Sequence, residues 1–268
     1  YIRDYGISIE GQNLGIPASV TISGAAAYNN AYEASSVQAF AASGNPALLN
    51  VADVDYVKPE QMQSMEFGYR AKLSRTFTID AAVYRNDFQD FINTQVVLSP
   101  LYGEVGDGGL SILAIANGDF ETWSSYTNSP AEISSWGMAI GMSTKIFKNF
   151  DLSANYTKSE LEFEQSQYPD FRTNWNTPEH KIKAQFGNTN LFKNVGFNVA
   201  WRYWSEYLWQ ASFGDGMVPE THVVDAQINL TVPKWKSTIK VGATNIGNNE
   251  YFTAFGSGFI GTQYYVSW

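Results

Sequence analysis

The chain has 268 residues, enough for one large domain or two small ones, and a net charge of −9 with no cysteine. The acidic balance argues against a sequence-independent nucleic-acid binder, which needs a basic surface, and the lack of cysteine removes thiol catalysis, cysteine-based zinc sites and disulfides. Aromatic residues reach 15% and charged residues only 16%, against roughly 25% charged in an ordinary soluble domain; no run of about 18 apolar residues offers a transmembrane helix, yet a transmembrane β-strand needs only about 10 residues, half of them apolar.

Residues 1–62 are rich in Gly, Ala, Asn and Ser and show little sustained periodicity. They read as a long extracellular connection with little regular structure, ending near Pro59. The opening "YIRDYGISIE" has neither an initiator Met nor a signal peptide, so the expectation is either a mature N-terminus or a piece of something longer.

From residue 63 to 268 the pattern changes to strict alternation. "MEFGYRAKL" sets Met65, Phe67, Tyr69, Ala71 and Leu73 against Glu66, Gly68, Arg70 and Lys72. "FTIDAAV", "WGMAIGM", "FDLSANY", "HKIKAQF", "GFNVAWRYW", "VDAQINLTV" and "TIKVGA" repeat the unit, and Tyr264, Val266 and Trp268 close the chain in the same way. Period-two alternation gives each strand one apolar and one polar face. About nine strands result, joined alternately by short links (near 74–76, 147–149, 188–194 and 233–235) and long ones (near 98–132, 166–177, 210–220 and 246–260). Short turns on one rim and long loops on the other are the layout of an outer-membrane barrel.

The charges agree. Glu66, Arg70, Asp80, Lys183, Arg202 and Lys240 fall on the polar face, where a wet lumen tolerates them; on the lipid face at mid-membrane a Lys or Arg would cost roughly 2–4 kcal/mol. His180, His222, Lys158 and Arg85 fall on the apolar face, each toward a long-loop end. An antiparallel barrel closes with an even strand number, and an open edge cannot lie in lipid. The fold expected is therefore all-β: an antiparallel transmembrane barrel, with these nine strands either the C-terminal part of a larger one or completed by another chain.

Chemistry-bearing motifs are sparse. Glu179 and His180 are neighbours; on one strand they would point to opposite faces and could not converge on a substrate atom. Glu104 and Asp107 sit in "YGEVGDGGL", but the D-x-D-x-D-G spacing of a calcium loop is missing. Two histidines and no cysteine argue against a transition-metal site, no phosphate-cradling glycine motif follows a strand, and neither a cofactor nor enzymatic activity is expected. The long loops are aromatic instead: Phe120, Trp123 and Tyr126, then Trp175, then Tyr207, Trp209 and Phe213. Trp123, Tyr126, Trp175, Tyr207 and Trp209 are the candidate ligand-stacking residues; packing of the loops against each other or against a partner lid is the equal alternative.

Two stretches carry a family resemblance. "VKPEQMQSMEFGYRAKLSRTFTIDAAVYRNDFQDFI" resembles the KPE-x-x-x-x-E-x-G segment of TonB-dependent outer-membrane receptors through Lys58, Pro59, Glu60, Glu66 and Gly68, followed by Tyr84, Asn86, Phe88, Asp90 and Ile92. "VGATNIGNNEYFTAFGSGFIGTQYYVSW" is similar to the family's closing hairpin through Asn245, Ile246 and Tyr251, and "NTPEHKIKAQFGN" looks like the Bacteroidetes-type members. The resemblance covers roughly residues 50–268. It implies a barrel of about 22 strands around a plug, in a Gram-negative outer membrane, with TonB-coupled uptake of a nutrient. The partners implied are the TonB complex acting through a plug, outer-membrane lipid and lipopolysaccharide, the outer-membrane assembly machinery reading Tyr264, Val266 and Trp268, and a surface lipoprotein lid. The alternative is a receptor-like structural or interaction barrel within a larger surface assembly.

Overall fold

The computed structural model describes residues 6–10, 19–23, 26–147, 149–211 and 214–268. The elements begin with β1 (Gly6–Glu10), β2 (Ser19–Ser23), α1 (Ala26–Asn29), β3 (Tyr32–Glu33) and α2 (Ala34–Ser43). Next come β4 (Gln61–Lys72), β5 (Thr78–Gln89), β6 (Ile92–Pro100), α3 (Leu110–Asn117) and β7 (Phe120–Asn128). Then follow β8 (Ile133–Ile146), β9 (Phe150–Glu162), β10 (Phe171–Arg172), β11 (His180–Phe192) and β12 (Val195–Trp204). The last are β13 (Tyr207–Ala211), β14 (Gly214–Val218), β15 (Thr221–Val232), β16 (Ser237–Thr244) and β17 (Gln263–Ser267). They fall into two compact units, each discontinuous: a first within Tyr1–Met62, Phe88–Ile133 and Phe163–Thr173, and a second of Gln63–Asp87, Ser134–Glu162 and Asn174–Trp268.

The second unit is built on a nine-stranded sheet in the order β17-β16-β15-β12-β11-β9-β8-β5-β4. Its strands are the nine that alternation marks. The ladders from β8 to β17 are antiparallel, and the links alternate as expected: 147–149, 193–194 and 233–236 are short, whereas 163–179, 205–220 and 245–262 are long. Local chemistry closes the short links. Ser74 Oγ accepts the Thr76 and Phe77 N–H groups, and Asn194 and Lys236 take the left-handed conformation (φ 65° and 51°) that a tight reversal needs.

Residues paired across a ladder share a face, so the register shows what each face is. On one face Val266 pairs with Val241 and Val241 with Ile228, which pairs in turn with Phe197. Large apolar groups stand in the open there: Phe67 is 79% exposed, Ile228 60% and Val266 73%. Two aromatic clusters bound this face. Phe150, Phe186 and Phe197 meet at 5.4–6.3 Å between centroids. Six positions along the same three strands, Tyr156 stacks on His180 and Tyr203 on Trp201, and His222 of β15 stacks on Trp201 and lies tilted against Tyr203. Beyond that second cluster the face turns charged, with Lys158, Glu160 and Glu162.

The opposite face is a polar wall. Arg70 pairs with Asp80 at 3.0 Å, Lys145 with Asp151 at 2.5 Å and Arg202 with Asp225 at 2.9 Å. The glycines of this face make room for long side chains from the next strand. A Cβ on Gly137 would lie 2.5 Å from the Tyr84 hydroxyl and 2.5 Å from the Lys158 carbonyl, and Tyr84 uses that space to reach Ser159 at 3.0 Å. Tyr265 lies over Gly242 in the same way and donates to Gln227 Oε1 at 2.9 Å.

The first unit departs from expectation. Described residues of the 1–62 segment, expected to hold little regular structure, form a ten-residue helix, α2, and β3 pairs with β6. In a four-stranded sheet, β6 carries β7 along one edge and β3 and β10 on the other. One face packs Tyr32 and Leu98 against Ala34, Val37 and Phe40 of α2 and Ile115 of α3; the other packs Val97 with Ala31, Ala52, Val54 and Trp123. A helix is chosen at 34–43 because Ala34, Val37 and Phe40 repeat at three-residue spacing over this sheet. Gly44, at φ 67°, ends it by returning its N–H to the Phe40 carbonyl.

Candidate functional site

In the first unit, α2 and α3 stand over the β6–β7 ladder and are held by side chains distant in sequence. The α2 N-cap position, Glu33, makes no side-chain capping bond; Asp170 takes that role, accepting the Ser35 N–H and the Ser35 hydroxyl, both at 2.7 Å. Asp107 does the same for α3. Its carboxylate accepts the N–H groups of Glu104, Gly109 and Ser111 and the Ser111 hydroxyl. These bonds, led by that of Gly109, hold its pKa below the usual carboxylate value despite opposing desolvation. Asn30 clips the same turn through Val105 N–H and the Gly103 carbonyl. The Glu104–Asp107 stretch is thus a helix-capping turn, and among the described residues no group of three or more His, Cys, Asp or Glu is placed to hold a metal.

Between these elements lies an open cavity of about 650 Å³. Val37, Phe40, Leu98, Ile115 and Phe120 line it, and among the described residues Gln38 and Thr122 supply the only polar side chains. Of the aromatic residues singled out in this unit, Trp123 and Tyr126 occupy opposite faces of β7. Trp123 packs on the Val97 cluster, its buried indole Nε1 without a partner among the described residues, whereas Tyr126 is 47% exposed. One ligand cannot stack on both.

The resemblance motif has a structural function here. Asn128 accepts the Lys58 N–H at 2.6 Å and donates to the Lys58 and Asp90 carbonyls, while Glu60 accepts the Ile92 N–H at 2.8 Å.

The second unit holds the other three aromatics and brings two of them, Tyr207 and Trp209, together. Tyr207 and Trp209 lie on one face of β13, their rings 6.4 Å apart and tilted by 58°. The Tyr207 hydroxyl donates to the Thr253 carbonyl at 2.7 Å, and burial raises its pKa. On the other face of this strand, Gln210 accepts the Asn174 N–H at 3.0 Å and exchanges two backbone bonds with the Asn176 amide at 2.7 and 3.0 Å. Asn174 and Asn176 are both left-handed (φ 47° and 44°), so Trp175 is presented between two fixed reversals beside the hairpin. Phe213 lies outside the described residues. On β17, Tyr264 and Val266 share the apolar face with Ala243 and Val241, and Tyr264, Val266 and Trp268 are all exposed.

The closing motif is a lock. Asp225 accepts from Arg202 and from the Asn245 N–H at 2.9 Å. Asn245, 1% exposed and left-handed at φ 52°, donates to the Asn249 carbonyl and accepts Thr262 through its own carbonyl at 2.6 Å. Tyr251 is buried edge-on to Trp204. The sequence pattern reached Asn245 and Tyr251 but not Asp225, Arg202 or Thr262.

Glu179 and His180 require a correction. The strand begins at His180, so alternation does not separate the pair: Glu179 Oε1 lies 3.5 Å from His180 Nε2 and 3.0 Å from Lys158 Nζ. His180 Nδ1 pairs with the Tyr156 hydroxyl at 2.9 Å, and Lys158 sits over Trp136. The Tyr156–His180 and Lys158–Glu179 contacts cross between neighbouring segments, whereas Lys158–Glu160 lies within one strand.

The family model described as TonB dependent receptor-like, β-barrel, matches residues 19–246. Solved structures resemble the chain in fold. A copper transporter, OprC, aligns at TM-score 0.56 and 15% identity over 79% of this chain and 31% of its own. The FrpB iron transporter from Neisseria meningitidis aligns at 0.55 and 13% over 81% and 31%, and the siderophore receptor PiuA from Acinetobacter baumannii at 0.51 and 17% over 73% and 26%. The chain thus spans about a third or less of these structures. No curated protein matches it significantly.

Proposed function

The chain belongs to the TonB-dependent receptor-like β-barrel family, and on that premise we propose that it forms the C-terminal strands of an outer-membrane transporter for energy-coupled nutrient uptake. The observation that carries this reading is the two-faced sheet: exposed Phe67, Ile228, Val241 and Val266 on one side and the Arg70–Asp80 and Arg202–Asp225 pairs on the other. Only a lipid exterior and a wet interior make both faces favourable. The apolar face meets the lipid of a Gram-negative outer membrane, lipopolysaccharide included. The assembly machinery reads β17 with Tyr264, Val266 and Trp268. TonB drives release through the plug that the family resemblance implies.

Trp175, Tyr207 and Trp209 are the stacking residues we assign to cargo capture, with Tyr126 the exposed aromatic of the other unit. The named transporters and receptors of similar fold make a metal ion or metal chelate the first cargo class to assay. In a deletion strain carrying the full-length gene, uptake of labelled metal or chelate is expected to disappear when TonB coupling is removed. Recovery of the protein in the aqueous phase without detergent would overturn the membrane placement, and uptake independent of TonB would overturn the coupling.

A second reading, an interaction barrel in a larger surface assembly with a lipoprotein lid, draws on α3. It carries no charge, and its Leu110 and Leu113 are 59% and 50% exposed. A stoichiometric partner lost on changing both leucines to serine would favour it.

A further inference from the structure

We propose that the cavity between α2, α3 and the β6–β7 ladder is a binding site for an uncharged, mostly hydrocarbon small molecule carrying one or two hydrogen-bonding groups. Its volume of about 650 Å³ is that of a site for a drug-sized ligand. Among the described residues no ionisable side chain lines it, in a protein of net charge −9. A charged ligand would have to shed its hydration with no counter-charge to meet it, whereas a neutral apolar one gains from leaving water.

The polar complement is equally limited. Gln38 and Thr122 line the cavity from α2 and β7, and both are exposed residues. They can meet a hydroxyl, carbonyl or ester on an otherwise apolar guest.

The wall is pre-organised. Tyr32 reaches Ser111 at 2.9 Å beneath α3, Asp170 fixes the start of α2, and Val37, Phe40, Leu98 and Ile115 are buried side chains of the core itself. Little ordering is needed on binding, which lowers its cost. The proposal rests on the outer-membrane barrel reading above, with residues 1–62 taken as an extracellular connection.

The test uses the full-length protein in lipid nanodiscs and a neutral long-chain alkyl diazirine alcohol, photolysed and mapped by peptide mass spectrometry. Labelling is expected within residues 34–44, 96–98 and 115–122, with the sulfonated analogue labelling there at least about tenfold less. Ala41→Trp and Ala116→Trp each place an indole in the cavity from an exposed helix position and are expected to cut that labelling at least about fivefold. Ala39→Trp, on α2 but outside the lining, is expected to leave it unchanged.

Labelling confined to the strands of the apolar face, equal labelling in all three variants, a preference for the sulfonated probe, or exclusion of the probe by a co-purifying protein would each overturn the proposal. The uptake assay is read separately: cavity labelling without TonB-coupled uptake would remove the transport reading and leave the site standing.

Discussion

Asp170 caps a helix that lies 135 positions earlier in the chain: its two carboxylate oxygens take the N–H and the hydroxyl of Ser35. Glu33 at the N-cap makes no side-chain capping bond and instead accepts the Asn50 amide at 3.2 Å. Asp170→Ala is expected to weaken α2 by about 1–2 kcal/mol, the usual value of a lost cap. Hydrogen exchange should show faster opening of the 34–43 amides with the β15–β16 amides unchanged. Equal exchange in both proteins would remove the capping role.

Gly137 is expected to tolerate no side chain. Gly137→Ala would drive a methyl group into Tyr84 and the Lys158 carbonyl, at a cost of about 1–3 kcal/mol. Tyr84→Ala should relieve only part of this, because the carbonyl remains. The heat-modified gel shift of the folded barrel, followed against urea, is the readout; full rescue by the double change would place the whole conflict on Tyr84.

The two faces should respond oppositely to the same charge. Val241→Arg on the apolar face is expected to destabilise the barrel by roughly 2–4 kcal/mol in bilayers, and Asn229→Arg on the polar face by much less. Equal losses would contradict the assignment of lipid and lumen.

Asp225→Ala should loosen the closing lock. It strands the Arg202 guanidinium and the Asn245 N–H together, a loss of about 1–3 kcal/mol for a half-buried charged partner. Limited proteolysis within 245–262 is expected to accelerate, with Asp225→Asn intermediate.

Acid should open the 103–111 turn. The Asp107 pKa lies below its usual value near 3.8, so the ionised form is the one folding favours. That contribution is complete above the usual value and is lost as pH falls through the lower folded one. Gly109 and Ser111 amide exchange should rise across that window, and Asp107→Asn should remove the dependence. A rise that persists in Asp107→Asn would assign it to another group.

The nine strands were legible because each separates two media, and alternation records that contrast directly in residues such as Val241 and Gly242. The helices were not. The sequence of α2, "ASSVQAFAAS", is small and uncharged, so its apolar stripe stands out weakly until the β6 sheet gives it something to cover. The Glu179–His180 argument failed at a boundary: alternation rules apply inside a strand, and Glu179 stands one residue outside it. The aromatic loop residues were identifiable by type, yet only the strand register shows that Trp123 is core and Tyr126 is not. Distant partners such as Asp170 for Ser35, or Asp225 for Asn245, leave no local signal at all.

The first unit is assembled from three stretches separated by strands of the sheet, and this sets an order of events. Closing long loops costs entropy that must be met before the contacts they allow. The cavity and its helix cap therefore cannot mature until β9 has been laid down and residue 170 delivered. Until residue 170 arrives Ser35 stays uncapped, so the last-made of the three stretches completes the first.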